Sequence, residues 1–329
     1  MPGVGGAGQD QRVDAVGVPS GRRLLRSAPS LGLPVIRCAA AAVRFVLALQ
    51  LVFSIASAHA EKIDASLREV VDKVPVPGAK ASIVVTSFRP AGDGPFPWLL
   101  LNHGTAVTTE ANQKRGRYRP LHPVREWVRR GYAVLVPMRR GYGVSDVPRL
   151  GDSYGSCRKP DFRRAGEGAA LDLLATVEWS RRQHDLDPKR WLLVGQSAGG
   201  FASIYTASRQ PAGLVAVLAF APGRGGNPET RPGKPCASDR MGELFASIAP
   251  DITVPVLWFY AENDAYIGPR VQKLWFDRFR AAGGRGELVV VPPFPHALGH
   301  GVFPNAKGTP LWTAAVRNFF ASQELALSF

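Results

Sequence analysis

The chain has 329 residues, 45% of them hydrophobic, and no long low-complexity tract, which is enough for one large domain with a substantial core. Its formal net charge at pH 7 is +15. Such a charge is compatible with nucleic acid, anionic polymers or acidic substrates as partners, but no recognisable nucleic-acid-binding module accompanies it. We therefore interpret the positive charge as spread over the protein surface and expect no nucleic-acid-binding function.

The N-terminal region has the layout of a secretory signal. Arg37 and Arg44 precede the apolar run Phe45–Ala56, and Ala58-His59-Ala60 then offers a small-residue cleavage site. A membrane span usually needs about 20 apolar residues; this run is shorter, and Gln50 interrupts it. The pattern favours a cleaved signal, with an uncleaved membrane anchor as the alternative.

These features predict a signal peptide with an extended N-terminal region over residues 1–60 and one mature domain over residues 61–329. The mature domain is expected to be periplasmic or secreted, with no stable membrane insertion after cleavage. It keeps two cysteines, Cys157 and Cys236, and an even number in an oxidising compartment predicts one disulfide. Neither cysteine has a second Cys or a His at ligand spacing, so no metal site is expected.

Strand and helix patterns alternate from about Val74 to the end of the chain. The predicted strands are Ala81–Ser87, Trp98–Leu101, Tyr132–Pro137, Trp191–Val194, Leu214–Phe220, Val254–Tyr260 and Glu287–Val291. The predicted helices include Pro123–Arg130, Gly168–Gln183 and Leu311–Gln323. Because most of the strands are continuous apolar runs separated by helical patterns, the sequence predicts an α/β fold, with a mostly parallel sheet covered on both faces.

Two segments interrupt this alternation and are predicted to be irregular. Ala106–His122 is polar and basic, and Ala221–Asp251 is rich in Gly, Pro and Arg. Both follow the carboxyl ends of strands, where open α/β sheets bind ligands, so we expect them to form the walls of a substrate cleft. Their basic side chains are expected to form a solvated rim, with an anionic substrate as the alternative; they include Lys114, Arg115, Arg117, Arg224 and Arg231.

A candidate nucleophile follows the strand Trp191–Val194. Gly195-Gln196-Ser197-Ala198-Gly199 fits the pattern G-x-S-x-G at the junction of a strand and a helix. In such a nucleophile elbow the serine occupies a strained turn, and a side chain at either glycine would collide with a neighbouring element. The alternative is a Gly/Ser loop that only joins two elements.

The candidate base is found by elimination among six histidines. Four have other expected positions: His59 in the signal, His103 directly after a strand, His122 at a helix start and His184 in a polar connection. His296 and His300 follow the last strand. We favour His300, because its flanking glycines leave it free to point across the cleft, and keep His296 as the alternative.

The candidate acid follows the strand Val254–Tyr260. Glu262 and Asp264 both lie there, and Asp264 is favoured, with Glu262 as the alternative; an ordinary turn is the competing interpretation. An acid at this position would orient the His300 ring and stabilise its protonated form. The order Ser197, Asp264, His300 is the one expected for a nucleophile elbow of this kind.

An oxyanion hole needs two N–H groups aimed at the developing negative charge. The backbone N–H of Ala198, at the start of the helix after the serine, is the first candidate. The second is the backbone N–H of Thr105, in the loop after the strand Trp98–Leu101.

The chain resembles the α/β-hydrolase superfamily, within its dienelactone-hydrolase-like and prolyl-oligopeptidase-like catalytic domains. The resemblance covers most of Val74–Phe320 and rests on LLLNHGT, VPMRRGYGVSD, VGQSAGG, LWFYAENDAYIGP and PPF…GHGVF. It implies Ser197 as nucleophile, Asp264 as acid and His300 as base in ester or amide hydrolysis through an acyl-enzyme. In the RGYG segment, Tyr142 is expected to be a packed aromatic, with a hydroxyl lent to the cleft as the alternative.

Two departures from related families narrow the prediction. Dienelactone hydrolases proper use a cysteine where this chain has Ser197, and the H-G-G-G motif of another esterase group is absent. We therefore predict a catalytic domain that acts as a carboxylesterase on a small-molecule ester, without a cofactor. The alternatives are a serine peptidase or acyltransferase of the same fold, or a non-catalytic α/β-hydrolase that binds a ligand or partner.

Overall fold

Apolar runs of the sequence form the centre of the fold, an eight-stranded sheet. The structure, a computed structural model, describes residues 64–145, 147 and 149–329; the predicted signal segment, residues 1–60, lies outside them. In chain order the strands are β1 (Val70–Val76), β2 (Ala81–Phe88), β3 (Phe96–Asn102), β4 (Ala133–Met138), β5 (Gly155–Ser156), β6 (Lys159–Pro160), β7 (Leu186–Gln196), β8 (Leu214–Phe220), β9 (Val256–Ala261) and β10 (Gly286–Val291). Strands β5 and β6 form a separate two-stranded hairpin.

Helices occupy most of the connections between the strands. They are α1 (Thr109–Lys114), α2 (Leu121–Arg129), α3 (Phe162–Ser180), α4 (Ala198–Ala207), α5 (Ser238–Ile248), α6 (Pro269–Ala281) and α7 (Thr309–Ser322). Short 3-10 turns lie at Ala65–Leu67, Ala249–Asp251, Ala297–Gly299 and Ala306–Gly308. None of the helices in the described part of the chain is long and apolar enough to cross a membrane.

The order of strands in the sheet is β1-β2-β4-β3-β7-β8-β9-β10. The pairs β1–β2 and β2–β4 are antiparallel, and all pairs from β4 to β10 are parallel. Parallel neighbours need crossover connections, which the helices provide. The predicted fold class, a mostly parallel sheet in an α/β domain, is confirmed.

Both faces of the sheet are buried, which explains the continuous apolar strands. Leu99 and Leu100 point to opposite faces, and both are fully buried. The face with Leu100 packs against α3, α4, α5 and α6, through side chains such as Phe245. The face with Leu99 packs against α2 and α7, through side chains such as Trp127 and Trp312.

The structure corrects the prediction that Ala106–His122 and Ala221–Asp251 are irregular, since α1 lies in the first and α5 in the second. Helix α1 has six residues, too few to show a period, and buries only Asn112. Helix α5 buries Met241, Leu244, Phe245 and Ile248 at helical spacing, a signal that the surrounding Gly and Pro residues obscured. Strand β1, which was not predicted, lies at the edge of the sheet, and its first residues are exposed.

The carboxyl ends of the central strands meet at one edge of the sheet. Asn102 at the end of β3 pairs with Gly195 of β7, and Gln196 of β7 pairs with Phe220 of β8. Phe220 in turn pairs with Phe259 of β9. The loops that follow β3, β7, β8 and β9 therefore start side by side, although they lie far apart in the sequence.

Candidate active site

Ser197 lies at a sharp turn between β7 and α4. Its backbone has φ 58° and ψ −123°, a combination that an L-residue keeps only when its surroundings hold it there. The Ser197 N–H donates to the Phe220 carbonyl at 2.8 Å, and the Ser197 carbonyl accepts from the N–H groups of Phe201 and Gly223 at 3.0 and 3.2 Å. These hydrogen bonds hold the turn and fix the direction of the serine side chain.

The glycines around Ser197 allow unusually close approach of the backbone. A Cβ atom on Gly195 would lie 2.2 Å from the Gly199 carbonyl oxygen, and one on Gly199 would lie 2.3 Å from the Asn102 carbonyl oxygen. A Cβ atom on Gly104 would lie 3.2 Å from the Ser197 Cβ. Helix α4 and the loop after β3 can therefore reach the serine only because these positions lack side chains.

His300 and Asp264 form a hydrogen-bonded pair. The His300 Nδ1 lies 2.9 Å from Oδ2 and 3.1 Å from Oδ1 of Asp264. Asp264 is 2% exposed, and its Oδ1 also accepts from the backbone N–H groups of Tyr266 and Ile267 at 2.8 and 3.1 Å. The carboxylate is thus held from two sides and in turn orients the imidazole.

The alternative acid and base lie apart from this pair. Glu262 is exposed to solvent. The His296 ring packs edge-on against Phe294, with 5.3 Å between the ring centroids. The structure therefore brings Asp264 and His300 together and leaves Glu262 and His296 outside the arrangement.

Ser197 and His300 line the same small cavity, whose volume is about 40 Å³. The remaining lining residues are Thr105, Ala106, Val107, Gly223, Arg224, Gly225, Gly226, Tyr266 and Ile267. Thr105, one oxyanion candidate, is thus at the cavity. Ala198, the other, is the first residue of α4, where backbone N–H groups lack intrahelical acceptors.

Tyr266 covers one face of the His300 ring. The two ring centroids lie 4.3 Å apart, and the planes are inclined by 26°. Burial and the nearby carboxylate of Asp264 raise the pKa of Tyr266, so the phenol stays neutral at physiological pH. The face of this neutral ring can interact favourably with the positive charge that His300 carries during proton transfer. The sequence analysis did not identify this residue.

A buried ion cluster lies behind the cavity. Asp152 accepts from Arg139 Nε at 3.0 Å, from the Tyr142 hydroxyl at 2.7 Å and from Arg224 through a short ion pair. Burial opposes ionisation of Asp152, but Arg224 and Arg139 outweigh it and hold the pKa well below its usual range. Burial and the adjacent Asp152 raise the pKa of Tyr142 to about 12, and Tyr142 is a packed aromatic.

His103 supports the loop that carries Thr105. Its Nε2 accepts from the Arg139 N–H at 3.2 Å, and its Nδ1 lies 2.8 Å from the Gly104 carbonyl oxygen. Burial, together with the positive charges of Arg139 and Arg115, keeps the pKa of His103 well below its usual value. This histidine is therefore neutral at physiological pH and shapes the backbone.

The prediction that the basic side chains of the two loop segments form a solvated rim is wrong for two arginines. Arg224 is 7% exposed and lines the cavity. The Arg117 side chain is buried and donates to Glu69 at 2.9 Å. Lys114, in contrast, is exposed as expected. The sequence could not show this difference, because the acidic partners are distant: Asp152 precedes Arg224 by 72 residues.

Cys157 and Cys236 form a disulfide that encloses a sequence separation of 79 residues. It ties the segment after the RGYG motif to the long segment after β8. The Cys236 N–H donates to the Gly225 carbonyl at 3.0 Å, so the bridge lies next to the cavity lining. In the chain-entropy description, a loop of this length stabilises the fold by about 4.5 kcal/mol.

The described residues contain no group of three or more His, Cys, Asp or Glu side chains placed to hold a metal ion.

Comparison with known proteins finds one family model and several solved structures that are similar to this chain. Residues 79–239, which include the serine elbow, match the family described as X-Pro dipeptidyl-peptidase (S15 family). No curated protein matches the sequence significantly.

Solved structures of three proteins share the fold at low sequence identity. An esterase from Pyrococcus furiosus is 17% identical with a TM-score of 0.55, and the match covers 78% of this chain and 93% of that one. A candidate dienelactone hydrolase from Klebsiella pneumoniae is 20% identical with a TM-score of 0.53, covering 77% and 98%. A dienelactone hydrolase-like promiscuous phosphotriesterase from metagenomic libraries is 18% identical with a TM-score of 0.51, covering 78% and 98%. The sheet order, the serine elbow and these similarities agree, and the chain has the α/β-hydrolase fold.

Proposed function

We propose that the protein is a carboxylesterase in which Ser197, His300 and Asp264 act as nucleophile, base and acid. The observation that carries this proposal is the placement of Ser197 and His300 on one cavity, with the His300 Nδ1 2.9 Å from a buried carboxylate oxygen of Asp264. Two side chains of one cavity and a carboxylate that pairs with one of them come from three different loops, an arrangement that supports a shared chemical role.

The tautomer of His300 follows from its partner. An ionised carboxylate only accepts hydrogen bonds, so the Nδ1 that faces Asp264 carries a proton. The Nε2 of the neutral ring then has a free lone pair and can accept the proton of the Ser197 hydroxyl. The buried Asp264 stabilises the imidazolium that this transfer creates.

The reaction proceeds in two halves. The Ser197 Oγ attacks the ester carbonyl carbon while His300 Nε2 takes the hydroxyl proton, and His300 then gives this proton to the leaving alcohol. A water molecule, deprotonated by His300, attacks the acyl-enzyme, and the proton returns to Ser197 as the acid leaves. In both halves the backbone N–H groups of Ala198 and Thr105 hold the oxyanion.

The strained backbone of Ser197 is part of this proposal. A φ of 58° at a non-glycine residue costs of order 1–3 kcal/mol, and the hydrogen bonds to Phe220, Phe201 and Gly223 maintain it. The conformation lifts the hydroxyl above the end of the sheet, where a substrate can reach it. A simple Gly/Ser connection between β7 and α4 would have no reason to keep it.

The direct test compares Ser197→Ala with the wild-type protein on p-nitrophenyl acetate and butyrate. We expect turnover to fall by about 10⁴-fold or more, with an unchanged melting temperature, because the variant removes only the attacking oxygen. Ser208→Ala, at the other end of α4, is the matched control and should keep full activity. A fluorophosphonate probe should label the wild type and the control but not Ser197→Ala; equal labelling of all three proteins would contradict the assignment.

A peptidase is the second candidate function, favoured by the match of residues 79–239 to the X-Pro dipeptidyl-peptidase family. The same triad would serve either chemistry, because both pass through an acyl-enzyme. A panel that contains p-nitrophenyl esters, Gly-Pro-p-nitroanilide and N-acetylalanyl-p-nitroanilide distinguishes the two. Faster cleavage of an anilide than of the esters would favour the peptidase.

We further propose that the mature protein is periplasmic or secreted. The support is the disulfide between Cys157 and Cys236, since such bonds persist in oxidising compartments, together with the signal pattern over residues 1–60. Expression of the full chain in a Gram-negative host and sequencing of the mature N-terminus should give a chain that starts at Glu61. A full-length chain retained in the cytoplasm would contradict this proposal.

A further inference from the structure

Arg224 lies beside the candidate nucleophile although it comes from a different loop. It follows β8 by four residues, and the N–H of its neighbour Gly223 donates to the Ser197 carbonyl at 3.2 Å. Of the described residues that line the cavity, Arg224 alone carries a permanent charge. The guanidinium is thus held at the substrate cavity by the same backbone contact that helps to hold the serine turn.

The buried guanidinium of Arg224 uses only part of its hydrogen-bonding capacity. Arg224 pairs through one terminal nitrogen with Asp152, and its guanidinium carbon lies 5.7 Å from the centroid of the Phe201 ring. Its Nε is buried and has no hydrogen-bond partner among the described residues. The Nε is out of reach of a ligand, but the guanidinium also lines the cavity, and the one carboxylate that pairs with it is shared with Arg139. The charge of Arg224 is therefore only partly neutralised and favours an anionic group in the cavity.

The charges around the cavity also favour an anion. Asp152 is shared between Arg224 and Arg139, so one carboxylate faces two guanidinium groups. Arg115 adds a third cation through its hydrogen bond to the Gly104 carbonyl at 2.9 Å. Two further carboxylates lie near the cavity: Asp264 is committed to His300 and to two backbone N–H groups, and Glu229 is exposed to solvent on the side of Tyr266. The net charge of the groups around Arg224 is therefore positive.

Together these observations point to a specific class of substrate, and the inference rests on the proposed esterase function. We propose that the cavity takes an ester that carries a carboxylate a few atoms from its scissile carbonyl, and that Arg224 binds this carboxylate. Because Ser197 and Arg224 line the same cavity, the carboxylate and the scissile carbonyl must lie a short distance apart. Arg224 then selects the substrate, while Ser197, His300 and Asp264 carry out the reaction.

The test uses substrate pairs that differ only in charge. Ethyl hydrogen succinate and its neutral amide analogue, ethyl succinamate, place the group in the acyl part. The butyrate ester of glycolate and that of glycolamide place it in the alcohol part. For each pair, kcat/KM is measured by titration of the released acid, and the ratio of the charged to the neutral substrate is the readout. Comparison of the two substrate pairs shows whether the carboxylate is bound in the acyl part or in the alcohol part of the ester.

We expect the wild-type protein to favour the charged member of at least one pair by about tenfold to a hundredfold, the range for one charge-assisted hydrogen bond. In Arg224→Gln this ratio should fall at least tenfold, and in Arg224→Lys it should be partly restored. Lys114→Gln removes the same charge from an exposed side chain and should leave the ratio unchanged. A wild-type ratio near one in both pairs, or an equal ratio in Arg224→Gln, would overturn the inference.

Two further readouts keep the test decisive. If Arg224→Gln does not fold, inhibition of the wild type is compared: succinate should inhibit hydrolysis of p-nitrophenyl acetate more strongly than succinamide, and equal inhibition would overturn the inference. A wild type that hydrolyses the neutral esters as fast as the charged ones refutes only the role of Arg224. A wild type that hydrolyses neither and is not labelled by the fluorophosphonate probe refutes the proposed function and, with it, this inference.

Discussion

The side chain of Gln196, the residue before the candidate nucleophile, donates a hydrogen bond from Nε2 to the backbone carbonyl of His300 at 2.9 Å. This bond joins the serine turn at the end of β7 to the histidine loop after β10, across a sequence separation of 104 residues. The variable position inside the G-x-S-x-G pattern therefore helps to hold the loop that carries the candidate base.

Loss of this bond should reduce catalysis more than stability. In Gln196→Ala we expect kcat for p-nitrophenyl butyrate to fall by about tenfold, because the His300 loop loses its only side-chain tie to the serine turn among the described residues. The free energy of unfolding should fall by about 1 kcal/mol, the usual contribution of one such hydrogen bond. Gln210→Ala, which removes an exposed amide at a distant loop, is the control for stability. An unchanged kcat in Gln196→Ala would show that the loop is held by other contacts.

The ring of Tyr266 should matter through its stacking on His300. Tyr266→Ala removes a contact with 4.3 Å between ring centroids and is expected to lower kcat/KM by about fivefold to thirtyfold, since contacts between a cation and an aromatic ring contribute about 1–2 kcal/mol in shielded sites. Tyr266→Phe keeps the ring and should retain most of the activity. If the phenylalanine variant loses as much as the alanine variant, the hydroxyl and not the ring face is the important group.

The buried cluster around Asp152 should make stability depend on pH. The pKa of Asp152 is lower in the folded protein than in the unfolded chain, so its ionisation stabilises the fold above about pH 4, and this contribution is lost as the pH falls further. Asp152→Asn leaves Arg139 and Arg224 buried without their shared counter-charge, which should lower the free energy of unfolding at pH 7 by about 3–5 kcal/mol.

Urea denaturation at pH 7 and at pH 3 tests this expectation. The difference between the wild type and Asp152→Asn should shrink at the lower pH, because Asp152 takes up a proton in the unfolded wild-type chain while it stays ionised in the folded protein. Asp277→Asn, in an exposed pair with Lys273, should change stability by less than about 1 kcal/mol at both pH values. A difference that is constant with pH would show that Asp152 acts by shape and not by charge.

Removal of the disulfide should loosen the fold and the cleft wall together. In the double variant Cys157→Ser/Cys236→Ser, the free energy of unfolding is expected to fall by about 4–5 kcal/mol, the chain-entropy value for a loop of this length. Because Cys236 is hydrogen-bonded to Gly225 beside Arg224, KM should rise more than kcat falls. Treatment of the wild type with a reductant is the parallel measurement, and an unchanged melting temperature after verified reduction would contradict the prediction.

The sequence alone determined the sheet and the chemical groups at its edge. Buried strands such as Trp191–Val194 and Leu214–Phe220 are readable because burial on both faces requires continuous apolar residues. Ser197, Asp264 and His300 could be selected because parallel strands direct their carboxyl ends to one edge, so residues just after those ends are candidates for a shared site.

Only the tertiary structure decided which of these groups meet and what surrounds them. It brought Asp264 rather than Glu262 to His300, placed Tyr266 on the imidazole and buried Arg224 against Asp152. Each of these outcomes depends on the path of a loop, and loops carry no hydrophobic period from which a direction can be read. A local sequence pattern indicates whether a segment is buried. The ion pair between Arg224 and Asp152, which are 72 residues apart, depends instead on how the whole chain packs.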